Sequence, residues 1–272
     1  MEPERSLHTT NITRVTDERF KRPYVYRISL PSNGFLYDGR LPGGEVFISP
    51  MVAADESLLG SQKSDKVSII DTLCRRNLVE CAVPYEDLLV SDTFYILMCL
   101  RNVSYGSLYQ FQLQCPQCGV KYHKDVKVPE DMRVTRLSEE DDCEPYPCEL
   151  PMNGDKLTFR LLRNRDEISI RRYAKSRYQQ SVEEGDPAYC IRLATHIETI
   201  NGEKRDAVQK LRYVENLIAA DVSQLKEEIK ARDFGADLIL NSECPACGFA
   251  GEEILPFDAN FFRVQRAKPR TP

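Results

Sequence analysis

At 272 residues, 42% of them apolar and 29% charged, the chain can bury the core of one large domain or two ordinary ones. Its net charge of −5 argues against a protein that grips nucleic acid mainly through phosphates. No apolar run approaches the roughly 20 residues of a membrane span, and the opening MEPERSLHTT lacks the apolar segment of a signal peptide, so a cytoplasmic protein is expected.

Residues 1–23 are polar and aperiodic and predict a flexible arm. A first half is predicted over residues 24–130. It opens with a strand at 24–30, rich in β-branched and aromatic residues, closed by a turn at Pro31-Ser32-Asn33-Gly34. Val46-Phe47-Ile48 predicts a second strand. Residues 51–59 start a short helix containing Asp55-Glu56. Val67, Ile70, Leu73 and Cys74 fall at helical spacing behind Asp65 as cap. Pro84 sits in the first turn of a short helix reaching Leu88. Ser91 or Asp92 caps a helix over 94–103 that is apolar on most faces, hence internal, and ends at Tyr105-Gly106. A strand at 108–113 then runs into Cys115-Pro116-Gln117-Cys118-Gly119.

Residues 131–144, with the run Glu139-Glu140-Asp141-Asp142-Cys143-Glu144, predict an acidic, solvated linker. The second half, 145–263, repeats the order of the first. Leu150-Pro151-Met152-Asn153-Gly154 echoes Leu30-Pro31-Ser32-Asn33-Gly34, residues 157–162 form the matching strand, and Asp166-Glu167 echoes Asp55-Glu56. Asp186-Pro187 opens a helix that Asn201-Gly202 closes. Val208, Leu211, Val214 and Leu217 give an apolar face, Asp221 with Gln224 forms a capping-box pattern before Leu225 and Ile229, and Gly235 ends that helix. Leu238-Ile239-Leu240 leads into Cys244-Pro245-Ala246-Cys247-Gly248. A flexible tail is expected over 264–272.

Asp92 and Asp221, Gly106 and Gly235, and Cys115 and Cys244 each lie 129 positions apart. Landmarks of different chemistry holding one offset imply an internal duplication. The fold expected is α+β, internally duplicated, with two pseudo-symmetric halves joined by a four-cysteine zinc-ribbon-like site. Ribbon knuckles usually lie roughly 15–20 residues apart; a duplication in which each half ends in one knuckle accounts for the longer gap here.

Two Cys-x-x-Cys-Gly turns supply four thiolates, the ligand set of a closed structural Zn2+ site: Cys115, Cys118, Cys244 and Cys247. A redox pair would stand where a strand enters a helix, whereas extended stretches, 120–128 and 249–255, follow both knuckles. Four sulfurs leave no open coordination position, so a zinc hydrolase is disfavoured. Ten cysteines in a cytoplasmic chain favour metal or buried thiols over disulfides. Cys74, Cys99 and Cys190 read as buried thiols, and His123 as a surface histidine. Cys81 is unassigned, and so is the pair Cys143 and Cys148 in a proline-bearing loop, for which a labile disulfide is the disfavoured alternative. Adjacent acids on a helix do not face one another, so Asp55-Glu56 and Asp166-Glu167 read as helix N-terminal charges and not as acid–base pairs. No catalytic residue and no small-molecule site is predicted. Arg160, Arg163, Arg165, Arg171, Arg172, Lys175 and Arg177, interleaved with Tyr173 and Tyr178, make a basic region: a solvated face balanced by local acids, or a contact for an acidic protein or nucleic acid.

The order of these features resembles the T4-type bacteriophage baseplate protein family. The resemblance rests on residues 30–34, Asp55-Glu56, Leu100-Arg101-Asn102-Val103-Ser104-Tyr105-Gly106, the two knuckles and Asn260-Phe261-Phe262-Arg263. It implies a non-enzymatic protein of a contractile phage tail, a baseplate hub component or an assembly factor. Its partners would be other tail and baseplate proteins, and it would be made and used in the host cytoplasm or kept in the virion baseplate. The alternative from a different class is a nucleic-acid-binding zinc-ribbon protein.

Overall fold

A computed structural model describes residues 12–59, 66–178, 186–256 and 261–262. Thr13–Val15 (β1), within the segment expected to be an arm, pairs antiparallel with Val25–Ser29 (β2). β2 pairs with Glu45–Ile48 (β3), whose Val46 and Ile48 face the core at the two-residue period of a strand. Helices Ala53–Leu59 (α1) and Lys66–Asn77 (α2) follow, and Leu78–Glu80 (β4) returns to β3, so the sheet order is β1-β2-β3-β4. Asp65, the expected cap of α2, lies outside the described residues. Pro84 precedes a single 3-10 turn, Tyr85–Asp87. Val90–Tyr105 (α3) is buried on most faces, as its composition predicts, and stops at Gly106, whose φ of 87° suits a residue without Cβ. Leu108–Gln114 (β5) and Lys121–Lys127 (β6) form a hairpin, followed by Val134–Thr135 (β7).

The second half runs Tyr146–Glu149 (β8), Lys156–Phe159 (β9), Asn164–Tyr178 (α4), Ala188–His196 (α5), Ile197–Ile200 (β10), Glu203–Lys204 (β11), Ala207–Glu215 (α6), Ala219–Ala231 (α7), Gly235–Ala236 (β12), Ile239–Glu243 (β13) and Ala250–Ile254 (β14). Its sheet order is β11-β10-β9-β8, and β13 and β14 form a second hairpin. The chain is therefore mixed helix and strand. No helix among the described residues is long and apolar enough to cross a membrane.

Local contacts recur between the halves. Leu30 N–H donates to the Gly44 carbonyl at 2.8 Å, and Leu150 N–H to that of Asp155 at 2.9 Å. Ser49 N–H reaches the Asn77 carbonyl and Arg160 N–H the His196 carbonyl, both at 2.9 Å. Asp55 accepts from Val52 N–H at 3.0 Å and Asp166 from Arg163 N–H at 2.8 Å. In each case the third helical residue satisfies the N–H just before its helix, which is half of a capping box.

Several local expectations give way to tertiary contacts. Asp92 and Asp221 are not caps, and Ser91 lies inside α3; the N-caps are Leu89 and Ile218, with no side-chain cap bond. Both carboxylates are instead fully buried and reach across to the Leu-Pro turns: Asp92 Oδ1 accepts from Ser32 N–H at 3.0 Å, and Asp221 Oδ1 from Met152 N–H at 2.8 Å. The capping box of this region is Asp206 with Gln209, at α6. Asn201-Gly202 closes no helix. α5 ends at His196, and the pair turns β10 into β11 with φ of 50° and 81°, the two positive values an Asn-Gly hairpin turn needs. Gly235 sits in β12, beyond the end of α7. Val208 is exposed, leaving Val214 as the buried residue of α6.

The acidic linker is only partly solvated. Glu139 and Glu140 are exposed, but Asp142 accepts from Leu36 N–H at 2.7 Å and Glu144 from Leu161 N–H at 2.6 Å, with Arg163 at 3.3 Å from Glu144. Leu89 and Arg163 form an antiparallel bridge between the halves: Val90 N–H donates to the Leu162 carbonyl at 3.0 Å and Asn164 N–H to that of Leu88 at 2.9 Å. β7 pairs with β12. One apolar core runs through both halves, joining Ile28, Tyr37, Leu89 and Met98 to Phe159, Leu193, Leu225 and Phe261.

The first Leu-Pro turn leaves no room for a side chain. Gly34 has a φ of +85°, and a Cβ there would lie 1.9 Å from the Leu41 carbonyl oxygen, whereas Gly39, at φ +70°, faces open space. Gly34→Ala is expected to cost about 3 kcal/mol and Gly39→Ala about 1 kcal/mol, read from denaturant midpoints. Equal losses would show that the close approach to Leu41 does not constrain the turn.

Two buried groups titrate in opposition. Burial raises the Asp92 carboxyl to about 6, against the lowering by its hydrogen bonds from Ser32 and Tyr37 and by the Arg136 charge. Burial lowers His196 to about 4, aided by the Arg160 and Arg192 charges and opposed by its bond to the Arg160 carbonyl. That carbonyl can only accept, so Nδ1 carries the proton, at 2.7 Å. A carboxyl with a raised folded pKa contributes stability in acid that is lost as pH rises through about 6; a histidine with a lowered one contributes stability above about 6.5 that is lost as pH falls toward about 4. Asp92→Asn removes the first contribution alone. Its melting temperature is therefore expected to fall more steeply than that of the parent protein between about pH 6.5 and 4; parallel melting profiles would refute the opposition.

Candidate metal centre

The two hairpins carry their cysteines in the same register. β5–β6 closes on the pair Gln114 and Lys121, and β13–β14 on Glu243 and Ala250. In each, the first cysteine's N–H donates across the turn, Cys115 to the Val120 carbonyl at 2.9 Å and Cys244 to that of Phe249 at 2.8 Å. Gly119 and Gly248 return N–H bonds of 2.9 Å to the carbonyls of Cys115 and Cys244. Both glycines hold a positive φ, 73° and 71°, and the turn beneath each pair needs it.

The turns point their sulfurs at one another. All four Sγ atoms lie within 4.8 Å of each other, and Cys115–Cys247 and Cys118–Cys244 are each 3.7 Å apart. Zinc–sulfur bonds of about 2.3 Å place tetrahedral sulfurs about 3.8 Å apart, close to the two 3.7 Å separations here, so the donor set suits a closed four-sulfur site. Cys115 and Cys244 are buried, Cys118 and Cys247 exposed, which leaves the cluster at the surface with its inner edge sealed. The thiols of the second knuckle are perturbed in opposite directions. Although burial raises the Cys244 thiol, the N–H groups of Ala246 and Cys247 bring it down to about 7. Cys247 is pushed up to about 12: the Phe249 N–H lowers it, and burial with three neighbouring sulfurs outweighs that. A cation bound between the four sulfurs would displace the thiol protons and offset the repulsion among the thiolates. Both knuckles sit between strands with no helix following, unlike a redox Cys-x-x-Cys.

The remaining candidates stay apart from the cluster. His123 is exposed on β6, opposite Gln112. Cys74 and Cys99 are buried as expected, and their burial raises both thiols beyond physiological titration. Cys190 is only half-buried, as is Cys81. Cys148 is buried in β8, a strand where its neighbouring prolines suggest a loop, while Cys143 is exposed; both are free thiols. The acid pairs sit in the first turns of α1 and α4. The basic region is largely neutralised: Arg160 pairs with Asp166 at 2.7 Å and Glu198 at 2.6 Å, Arg163 with Glu144, Arg165 with Asp87 at 2.8 Å and Arg171 with Asp71. Arg172, Lys175 and Arg177 face solvent, and the Tyr178 side chain lies outside the described residues.

Arg101 was legible only as part of the resemblance. It is 3% exposed and pairs with no carboxylate among the described residues. Its guanidinium donates to the carbonyls of Gly106, Ser107, Leu108 and Phe261, at 2.5, 3.3, 2.7 and 3.1 Å, and lies over the rings of Tyr109 and Phe261. It thus fastens the α3–β5 turn to the aromatic pair near the end of the chain. Asn260 and Arg263, which flank that pair, lie outside the described residues.

Comparison with known proteins adds one finding. No significant match emerges among curated proteins or solved structures. A family model described as T4 bacteriophage base plate protein matches residues 30–263, from the first Leu-Pro turn through both knuckles to the closing aromatic pair. With most of its length matched, the chain belongs to the T4 bacteriophage base plate protein family.

Proposed function

We propose that the chain is a non-enzymatic protein of a contractile-tail baseplate, a hub component or an assembly factor that works through contacts with other tail and baseplate proteins. The observation that carries this reading is the family match over residues 30–263. The filled four-sulfur donor set and the paired arginines support a binding role over catalysis or phosphate recognition. The protein is made in the host cytoplasm, and its place of action is there or in the tail of the particle. Mass spectrometry of purified particles separates the two roles. Stoichiometric presence identifies a structural subunit; absence, with loss of tails on deletion, identifies an assembly factor. Normal tails after deletion would sink the proposal, and a salt-dependent gel shift with nucleic acid would favour the alternative.

Within that reading, Cys115, Cys118, Cys244 and Cys247 hold one structural Zn2+. Support comes from sulfur separations that match a tetrahedral site. Elemental analysis of freshly purified protein tests it, with about one zinc per chain expected. We read the two halves, 24–130 and 145–263, as copies of one unit. The recurrent bonds at the Leu-Pro turns, helix starts and knuckles support this, as does the shared strand pairing β2-β3-β4 and β8-β9-β10. The zinc then joins the ends of the two copies and fixes the spacing of whatever surfaces they present.

A further inference from the structure

If the halves are copies, the contact between them has an unused counterpart at each outer end. The bridge between the halves joins an edge of the first, Leu88–Val90, to a segment of the second, 162–164. The position matching Leu89 in the second half is Ile218, because each is the N-cap whose carbonyl accepts the first helical bond, from Thr93 at 3.0 Å and Val222 at 3.1 Å. The position matching Arg163 in the first half is Val52, because the N–H of each bonds to the aspartate three residues on. At the internal seam Leu89 is 0% exposed and the Arg163 side chain 13% exposed. Ile218 is 56% exposed and Val52 59% exposed. Among the described residues no other segment's backbone pairs with either of these two edges.

The backbone groups that would pair are also available. Ala219 and Ala53 stand first in their helices, where an N–H has no intrahelical acceptor. No described residue outside the helices donates to the carbonyl of Leu217 or Met51. The side chains have changed together. At the internal seam Asn164 Nδ2 donates to Thr93 Oγ1 at 2.7 Å. The matching positions outside are Ala53 and Val222, so an amide facing a hydroxyl is replaced by a small apolar residue facing a β-branched one. The second half carries one further sign of incompleteness. The Tyr37 hydroxyl accepts from Leu89 N–H at 2.9 Å and donates to Asp92 Oδ2 at 2.7 Å. Its counterpart carboxylate oxygen, Asp221 Oδ2, is buried without a hydrogen-bond partner among the described residues. An open cleft of about 650 Å³, lined by Asn153, Tyr213 and Leu217 among others, borders the same edge.

We propose that this chain associates head to tail, the Met51–Ala53 segment of one copy docking on the Leu217–Ala219 edge of the next. The contact is heterologous, so it closes into a ring or extends as a filament according to the rotation per step. It lacks the amide and arginine bonds of the internal seam, so it is weak and forms at high local concentration, as on an assembling particle. The choice of occupant rests on the repeat reading; if association fails, that reading keeps its support in the recurrent bonds.

The test uses the full-length, zinc-loaded chain. Sedimentation velocity across a concentration series is expected to show reversible association beyond a dimer. Ile218→Asp and Val52→Asp should each weaken it by at least about tenfold, while Ile254→Asp, on a residue 70% exposed at the far end of β14, should leave it unchanged. Circular dichroism and zinc content of each variant separate a lost contact from a lost fold. A photo-crosslinking amino acid at position 218, in a mixture of isotopically heavy and light chains, should join the peptide holding Met51–Ala53 of a different chain. A monomer at every concentration, crosslinks from position 218 to position 218, or crosslinks reaching only another tail protein would each overturn the proposal.

Discussion

With the proposed zinc at the four-cysteine cluster, Cys244→Ser protein is expected to lose the ion and to melt about 10 °C or more below the parent. Structural zinc sites contribute roughly 10–16 kcal/mol of apparent binding free energy in zinc-finger peptides, comparable to the roughly 5–15 kcal/mol that stabilises a whole domain. Here the fall is smaller than complete unfolding, because the apolar core runs through both halves without passing through the sulfurs. Cys244 is the buried member of its knuckle, and its N–H and carbonyl close the turn with Phe249 and Gly248. Removing its sulfur leaves three ligands and frees the two hairpins, whose other direct tie includes Lys124 Nζ on the Asn241 carbonyl at 3.0 Å. Far-ultraviolet circular dichroism should change little, while Leu240 at the base of β13 becomes open to solvent. Complementation of tail assembly should fail in parallel. Unchanged melting together with normal tails would mean that the metal neither joins the halves nor matters to function.

Arg101→Met should destabilise the protein by about 3 kcal/mol, a larger loss than removal of any surface charge. Methionine keeps most of the apolar stem but donates nothing, so the carbonyls of Gly106, Ser107, Leu108 and Phe261 lose their donor in a buried place. Burial already lowers the Arg101 pKa from its usual value, so part of the cost is offset by no longer desolvating a cation. Arg101→Lys retains charge but cannot span four acceptors with a compact ammonium, and should fall between the two. Denaturant unfolding gives the free energies; limited proteolysis reports release of the Phe261-Phe262 pair. A loss below about 1 kcal/mol for Arg101→Met would show that these bonds do not hold the terminus.

What could be read from the sequence was local chemistry, and what could not was contact between distant segments. The knuckles were legible because spacing, proline and glycine specify the turn within five residues. Helix α3 was legible because its apolar residues wrap all faces. Asp92 and Asp221 stand out in the sequence as landmarks at one offset, yet their local role was misread. A carboxylate near a helix start looks like a cap, and only the fold brings the Ser32 and Met152 N–H groups to it. Asn201-Gly202 was a missed signal rather than a hidden one, since the β-branched run Ile197–Ile200 before it favours a hairpin. The Asp206 and Gln209 box was likewise present in the spacing. Glu144 could not be recognised as anchored, because a charge run reveals nothing of the Leu161 N–H and Arg163 that hold it.

The acceptor that completes Arg101 is made last. Phe261 lies 160 residues beyond Arg101, and Cys247 lies 132 beyond Cys115. At about 5–20 residues per second, the amino-terminal half waits on the order of ten seconds on the ribosome before either arrives. During that interval its two thiols have no second pair to share an ion with, and its guanidinium lacks a carbonyl. Nascent chains stalled before residue 247 are accordingly expected to be digested readily by protease, and released full-length chains to resist. A product cut short before residue 247 therefore carries a first half in which Arg101 lacks the Phe261 carbonyl and Cys115 and Cys118 lack their second pair.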